Sequence, residues 1–112
     1  MNFSISDENG IHILKVNLKR ATIDYVKEFR ELLLDLIETK NIKKIVIDLS
    51  EVEFVDSSFL GAVVSGLKKI AANKGDIKIS GLQSPVRSMF EITRLYKVFE
   101  IFDEIEDALN SF

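Results

Sequence analysis

Two adjacent serines that follow an aspartate, Asp56-Ser57-Ser58, offer the clearest reactive side chains in this sequence. A strand pattern over residues 45–49 precedes them. A helix pattern follows them, with Leu60, Val63, Val64, Leu67 and Ile70 as its apolar positions. The serines therefore lie where a helix begins, and free backbone N–H groups and the positive end of the helix dipole are found there. A phosphate on such a serine would meet hydrogen-bond donors.

The same three residues also have a purely structural interpretation. Asp and Ser are preferred at helix N-caps, so the need for a cap alone would favour them at this position. The two interpretations are compatible, because Asp56 could cap the helix while Ser57 faces solvent at the first helical position. The local pattern therefore leaves both a phosphorylation switch and simple capping open.

The N-terminal half of the chain predicts a hairpin followed by a helix. Residues 3–6 and 11–18 alternate apolar and polar side chains around a turn at residues 7–10. Thr22 and Asp24 suit a helix start, and apolar residues then recur at three-and-four spacing to about Thr39. Residues 45–49 are apolar throughout, as expected of a central parallel strand that is covered on both faces.

The C-terminal half alternates between the two element types. A strand is predicted at residues 77–80 and a short helix after Ser84 as N-cap and Pro85 at the first helical position. A last strand is predicted at residues 98–102, and Asp103 and Glu104 would open a final helix. The sequence thus predicts one α/β domain over residues 1–112, with a mostly parallel sheet of about five strands flanked by about four helices.

The composition limits the classes of function. The chain has 112 residues, a net charge of -3 and no cysteine, which argues against nucleic acid as a partner and excludes disulfides and thiolate sites. No signal peptide and no apolar run long enough to insert in a membrane are visible, so a cytoplasmic protein is expected. The pairs Lys43-Lys44 and Lys68-Lys69 are interpreted as solvated side chains.

Catalytic and metal-binding residues are not indicated. The single histidine, His12, is expected to be a solvent-facing strand residue, so the serines lack an evident general base. The acidic side chains near the C-terminus suit helix-dipole compensation better than metal binding; they are Asp103, Glu104, Glu106 and Asp107. We therefore expect a non-enzymatic protein without a cofactor or metal, and only a minor alternative of a small hydrolase.

The stretch Asp56-Ser57-Ser58-Phe59-Leu60-Gly61 resembles the Asp-Ser-Ser-Gly-Leu-Gly segment of the STAS family, the anti-sigma-factor antagonists. The likeness continues at residues 43–50, which resemble the family's third strand, and at residues 81–90, which resemble its fourth-strand exit and third helix. Residues 95–99 resemble the approach to the last strand. The resemblance covers nearly the whole chain and implies the STAS fold.

The resemblance also implies a function and a set of site residues. In this family the serine directly after the aspartate is phosphorylated, which here is Ser57. Members bind a partner that is both anti-sigma factor and serine kinase; phosphorylation blocks binding, and a serine phosphatase restores it. The predicted partner-binding residues are Asp56, Ser57, Ser58, Phe59, Thr22 and Ala62, of which Phe59 and Ala62 are added because of their place on the helix face and not because of the resemblance. The alternative is an unphosphorylated structural STAS subunit of a sensor complex or a membrane-transporter assembly, and the reason to consider it is Phe59, which stands where the family has Gly.

The chain departs from the family pattern at two places. Phe59 stands where the family has Gly, and Lys19-Arg20-Ala21-Thr22 replaces a Gly-x-Leu-Asp segment, so that Thr22 takes the place of a carboxylate. Phe59, Ala62 and Gly66 lie beside the predicted apolar stripe of the helix, which suggests that Phe59 is partly exposed and anchors a partner. The alternative is that Phe59 packs on Met89 or Phe90 and extends the core.

Overall fold

The computed structural model describes residues 1–112 and contains a five-stranded sheet. The strands of this sheet are β1 Phe3–Glu8, β2 Ile11–Val16, β4 Lys44–Asp48, β6 Asp76–Ser80 and β7 Ile101–Phe102, and they lie in the order β1-β2-β4-β6-β7. The antiparallel hairpin of β1 and β2 forms one edge, and the remaining neighbours in the sheet pair in parallel. The predicted hairpin and mostly parallel sheet are confirmed.

Four α-helices flank this sheet, as predicted. They are α1 Val26–Leu34, α2 Ser57–Ala72, α3 Ser84–Ile92 and α4 Ile105–Asn110. The first helix begins with a 3₁₀ turn at Ile23–Tyr25 and ends with a π-helical turn at Asp35–Thr39, so its predicted end near Thr39 is correct. No helix combines the length and the apolar character that crossing a bilayer requires.

The two faces of the sheet are covered unequally. On one face, Ile45 and Ile47 of β4 belong to a cluster of 24 buried apolar residues to which α1, α2 and α3 contribute. On the other face, Val46 packs with Ala108 and other residues of α4 in a much smaller cluster. The central strand is therefore buried on both sides, as its continuous apolar pattern predicts.

The smaller cluster also holds the C-terminal end of the chain. Lys78 is only 5% exposed, and its ammonium donates to the carbonyl and hydroxyl oxygens of Ser111 at 2.9 and 2.8 Å. The Phe112 ring centroid lies 4.5 Å from Lys78 Nζ, within the range of a cation–π contact. These partners satisfy a charge that would otherwise be costly to bury.

Three sequence predictions need correction, and one element was not predicted. Residues 98–100 do not join the last strand, because β7 pairs with β6 only at Ile101 and Phe102. Gln83 occupies the N-cap position of α3, and Ser84 is its first helical residue. His12 is half-buried, and its Nδ1 atom is enclosed without a hydrogen-bond partner, so it does not face solvent freely.

A short parallel ribbon, β3 Arg20–Ala21 with β5 Phe54–Val55, escaped prediction because two-residue strands carry no measurable periodicity.

Candidate functional site

The first turn of α2 presents the two serines as the sequence predicts. Ser57 is the first helical residue and is exposed, and Ser58 is half-buried. The backbone N–H groups of both serines lack an acceptor within the protein, as is usual for the first residues of a helix. Ser57 is therefore an accessible hydroxyl that lies beside free donors.

The carboxylate of Asp56 joins two segments of the chain. Its Oδ1 atom accepts a hydrogen bond from the Phe59 N–H at 2.9 Å, which confirms Asp56 as the N-cap of α2. Its Oδ2 atom accepts from the Ile23 N–H at 2.8 Å, across a separation of 33 residues in the chain. Because both oxygens are engaged by backbone donors, the carboxylate has a structural task and is not arranged as a base for Ser57.

The β3–β5 ribbon brings the segment after β3 to the start of α2. The Lys19 carbonyl accepts from the Glu53 and Phe54 N–H groups at 2.8 and 3.1 Å, and the Asp56 N–H donates to the Ala21 carbonyl at 3.3 Å. Thr22 follows this ribbon, is half-buried and forms no side-chain cap. Thr22 therefore lies at the same end of the molecule as Asp56 and Ser57, as the resemblance implies.

Phe59 is not an exposed anchor. Its side chain is 0% exposed, and its ring centroid lies 4.7 Å from that of Phe29 on α1. The core alternative is therefore correct, although the aromatic neighbour is Phe29 and not Met89 or Phe90. Because α1 covers this side of α2, Phe59 in place of the family Gly adds to the core and not to the exposed surface near Ser57.

Ala62 is also removed from the contact surface, because it is only 1% exposed. Gly66 lies one turn further along the same side, where a Cβ atom would overlap Leu33 Cδ2 and lie 3.3 Å from Leu33 Cγ. The small residues do permit the close approach of another helix, as the sequence suggests. That helix is α1 of the same chain and not a partner.

Two exposed apolar residues near Ser57 were not predicted. Ile23, whose N–H donates to Asp56, is 64% exposed. Phe54 on β5 is 37% exposed, and the guanidinium of Arg20 lies 4.3 Å above its ring. Both residues are exposed because of the ribbon of two-residue strands, and strands this short leave no signal in the sequence. The one available hint was Phe54, an apolar residue between a buried strand and a helix that belongs to the apolar pattern of neither.

An exposed ion pair links β2 to the loop between β4 and β5. Lys15 Nζ lies 2.8 Å from Glu51 Oε2. The hydrogen bond and the negative charge of Glu51 both raise the pKa of the Lys15 ammonium. The loop is tied a second time by Gln83, whose side-chain amide donates to the Ser50 carbonyl at 2.8 Å. The chain that leads into the Ser57 segment is thus held from both sides.

Comparisons with known proteins agree with this geometry. The STAS domain family model matches residues 6–108. The anti-sigma F factor antagonist of Paenibacillus polymyxa is 26% identical over 110 residues, which cover 97% of this chain and 94% of the relative.

Two solved structures share the fold. An anti-sigma-factor antagonist (STAS) domain protein from Planctomyces limnophilus has a TM-score of 0.89 at 20% identity, with 97% of this chain and 96% of that chain covered. The Bacillus cell fate determinant SpoIIAA, solved in its phosphorylated form, has a TM-score of 0.77 at 16% identity, with 97% of both chains covered. With the family match over nearly its whole length and the exposed Asp-Ser-Ser turn at the start of α2, the chain belongs to the STAS domain family.

Proposed function

We propose that this protein is an anti-sigma-factor antagonist that binds an anti-sigma-factor serine kinase through the Ser57 end of α2. Phosphorylation of Ser57 by that kinase ends the binding, and a serine phosphatase restores it. The observation that carries the proposal is the first turn of α2: Ser57 is exposed at the first helical position, while both Asp56 oxygens are occupied. Relatives named as anti-sigma factor antagonists support this function, and they support a cytoplasmic location.

The contact surface is built from the exposed groups around Ser57. Ile23 and Phe54 supply apolar area, and Arg20 stacks over Phe54. Thr22, Asp56 and Ser58 are half-buried beside them. Aromatic and arginine side chains are the residue types that most often dominate binding energy at interfaces. Phe59 and Ala62 act indirectly, because they set the position of α2 from within the core.

Release follows from electrostatics. A phosphoserine adds about -1.5 to -2 charges at neutral pH. At Ser57 this charge would lie beside the Asp56 carboxylate, in the middle of the contact surface. If the partner cannot pair the phosphate, desolvation and like-charge repulsion together cost a few kcal/mol, which is enough to separate a complex. The free N–H groups of Ser57 and Ser58 would at the same time favour the phosphate within the folded protein.

The main argument for an unphosphorylated structural subunit no longer applies. That alternative depended on Phe59 in place of the family Gly at the presumed contact surface. Because Phe59 is fully buried, it does not block access of a kinase to Ser57. The exposed serine is thus compatible with the switch that the family resemblance implies.

The test uses the wild-type chain and two variants as baits for proteins of the source cell, with capture read by mass spectrometry. Ser57→Ala should capture a serine kinase and keep it when ATP is added, while Ser57→Asp should not capture it. Ser88→Asp, an exposed serine on α3, is the control and should behave as wild type. Equal capture of the kinase by Ser57→Asp and wild type would contradict the switch.

A further inference from the structure

The outer edge of β1 is the longest unpaired strand edge in the protein. This strand has β2 as its only neighbour in the sheet, and its residues 5–8 are exposed. No proline, lysine or bulge interrupts it, so it lacks three of the features that usually prevent a strand edge from pairing. The opposite edge strand, β7, has only two residues. The edge of β1 is therefore the place where a further strand could join the sheet.

The register of the hairpin shows which backbone groups of this edge are free. In an antiparallel pair, hydrogen-bonded and non-hydrogen-bonded residue pairs alternate. The Asn17 N–H donates to the Asn2 carbonyl at 2.8 Å, so the backbone groups of every second residue from Asn2 onward face β2. The N–H and C=O groups of Phe3, Ile5 and Asp7 therefore point away from β2. Only another extended backbone can match this row, because a helix uses its own backbone groups internally.

Helix α1 forms one wall of this edge. Phe3 packs on Phe29 of α1 with the ring centroids 5.6 Å apart, so every second side chain of an added strand would also lie on the α1 side of the sheet. A cleft of about 450 Å³ separates the N-terminal end of β1 from the helix. The helix contributes one leucine and three carboxylates to this cleft: Leu32, Glu28, Glu31 and Asp35.

Two of the three carboxylates have no ion-pair partner. No ion pair of the protein includes Glu28 or Glu31, and both side chains are exposed. Glu28 accepts one hydrogen bond, from the side-chain amide of Asn2 at 2.9 Å. Asp35 lies 3.6 Å from Lys40, and this pair is exposed to solvent. The wall that α1 gives to the strand edge is therefore negatively charged.

This charge selects among the strands that could join the sheet. If β1 paired with β1 of a second copy across a two-fold axis, both α1 helices would lie on the same side of the enlarged sheet. Their acidic walls would then approach each other, and like charges oppose association. A basic strand would instead place cations beside Glu28 and Glu31. We propose that the edge of β1 binds an extended segment of a partner protein that has basic side chains at the alternate positions facing α1.

The two parts of this site contribute differently to binding. Hydrogen bonds to the free backbone groups supply affinity for any extended chain, and the side chains at alternate positions supply specificity. On the face opposite α1, the added strand would meet Ser4 and Ser6, which suit small polar side chains. Neither α2 nor the β3–β5 ribbon belongs to this site, so it is separate from the surface proposed to bind the kinase.

Nuclear magnetic resonance titration of the full chain with a short peptide tests the proposal. The probe is an acetylated and amidated hexapeptide of alternating lysine and threonine. It should bind saturably and slow the hydrogen exchange of the Phe3, Ile5 and Asp7 amides, which face solvent in the free protein. The same peptide with all its backbone amides methylated keeps its charges but cannot donate hydrogen bonds, and it should not bind. A peptide of alternating glutamate and threonine should not bind either.

Two pairs of variants separate the charge of the wall from the backbone of the edge. Glu28→Gln/Glu31→Gln should weaken binding about tenfold. Glu91→Gln/Glu106→Gln, which removes the same charge from exposed positions elsewhere, should have no effect. Ile5→Pro should abolish binding, because it removes an outward N–H at an edge position where proline is tolerated. Ile5→Thr keeps that N–H and should bind as wild type.

Several results would overturn the proposal. Absence of binding, or equal binding of the methylated peptide, would exclude pairing through the backbone. Equal binding of the acidic peptide, or unchanged binding by Glu28→Gln/Glu31→Gln, would exclude a basic segment as the preferred occupant. A dimer of the wild-type chain in sedimentation equilibrium that Ile5→Pro abolishes, without binding of the basic peptide, would assign the edge to a second copy. Ser57→Asp should bind the peptide as wild type, and a loss of binding would contradict the separation of the two sites.

Discussion

The two faces of the first turn of α2 differ sharply, although the residues that form them are neighbours in the chain. Ser57 is exposed and has free backbone donors beside it, whereas Phe59, two residues later, is completely buried against Phe29. The Asp56 carboxylate accepts hydrogen bonds from the Ile23 and Phe59 N–H groups at the start of the helix, and the buried face is held by the apolar contact of Phe59 with Phe29 of α1. Changes that affect partner binding should therefore be separable from changes that affect folding stability, even within three residues.

The largest effect on stability is expected from Phe59→Ala. This substitution removes a fully buried aromatic ring beside Phe29 and leaves a cavity, which should lower the free energy of unfolding by about 3–5 kcal/mol. Phe54→Ala is the matched control: Phe54 is 37% exposed, so its loss should cost only about 1 kcal/mol. Urea denaturation measures both values. A small effect of Phe59→Ala would mean that α1 and α2 do not pack as described.

Asp56→Ala should have the next largest effect, because it removes the acceptor of two backbone N–H groups. Loss of the cap alone costs about 0.5–2 kcal/mol, and the freed Ile23 N–H adds to this, so we expect about 2 kcal/mol in total. Asp56→Asn keeps one acceptor oxygen and should lose roughly half as much. If thermal denaturation shows that Asp56→Asn and Asp56→Ala are equally destabilising, the hydrogen bond that the Asn side chain retains contributes nothing to stability.

The two glycines of α2 allow the same substitution, Gly to Ala, to be tested at the exposed position 61 and at the buried position 66. A Cβ atom on Gly61 would have no neighbour within 4 Å, so Gly61→Ala should raise the free energy of unfolding by about 0.5–1 kcal/mol through helix propensity. At Gly66 the added methyl group would overlap Leu33, and Gly66→Ala should lower stability by about 1 kcal/mol despite the same gain in propensity. Chemical denaturation should show opposite signs; the same sign would refute a tight α1–α2 contact.

The smallest effect on stability is expected from Ser57→Asp. Ser57 is exposed, and an acidic residue in the first turn interacts favourably with the helix dipole, so the change should stay within about 0.5 kcal/mol. The proposed loss of kinase binding must therefore occur in a folded protein. A destabilisation above about 1 kcal/mol in the same denaturation assay would show that the variant does not separate binding from folding.

The parts of the fold that were predictable are those set by local sequence. The continuous apolar run of β4 indicated a strand covered on both faces, and Asp56 before the apolar periodicity of α2 indicated the cap. Both signals act over a few residues, and tertiary contacts reinforce them. The exposed position of Ser57 followed from the same cap, because the first helical residue after Asp56 points away from the buried stripe.

The parts that could not be predicted depend on which element packs beside another. Whether Phe59 is exposed depends on the position of α1, and the spacing of apolar residues within α2 contains no information about that position. Ile23 and Phe54 are exposed because a ribbon of two-residue strands aligns two distant loops. Strands this short have no detectable alternation, so the apolar part of the candidate surface became visible only in three dimensions.

The double hydrogen bond of Asp56 has a consequence for exchange with solvent deuterium. Ile23 has an exposed side chain and lies in a short turn, where an amide proton would ordinarily exchange rapidly. Because its N–H is held by the same carboxylate as the N–H of Phe59, both amides are released when that one side chain rotates. Their exchange rates should therefore rise and fall together, which makes these two amides, 36 positions apart in the chain, a paired reporter of any event that disturbs Asp56.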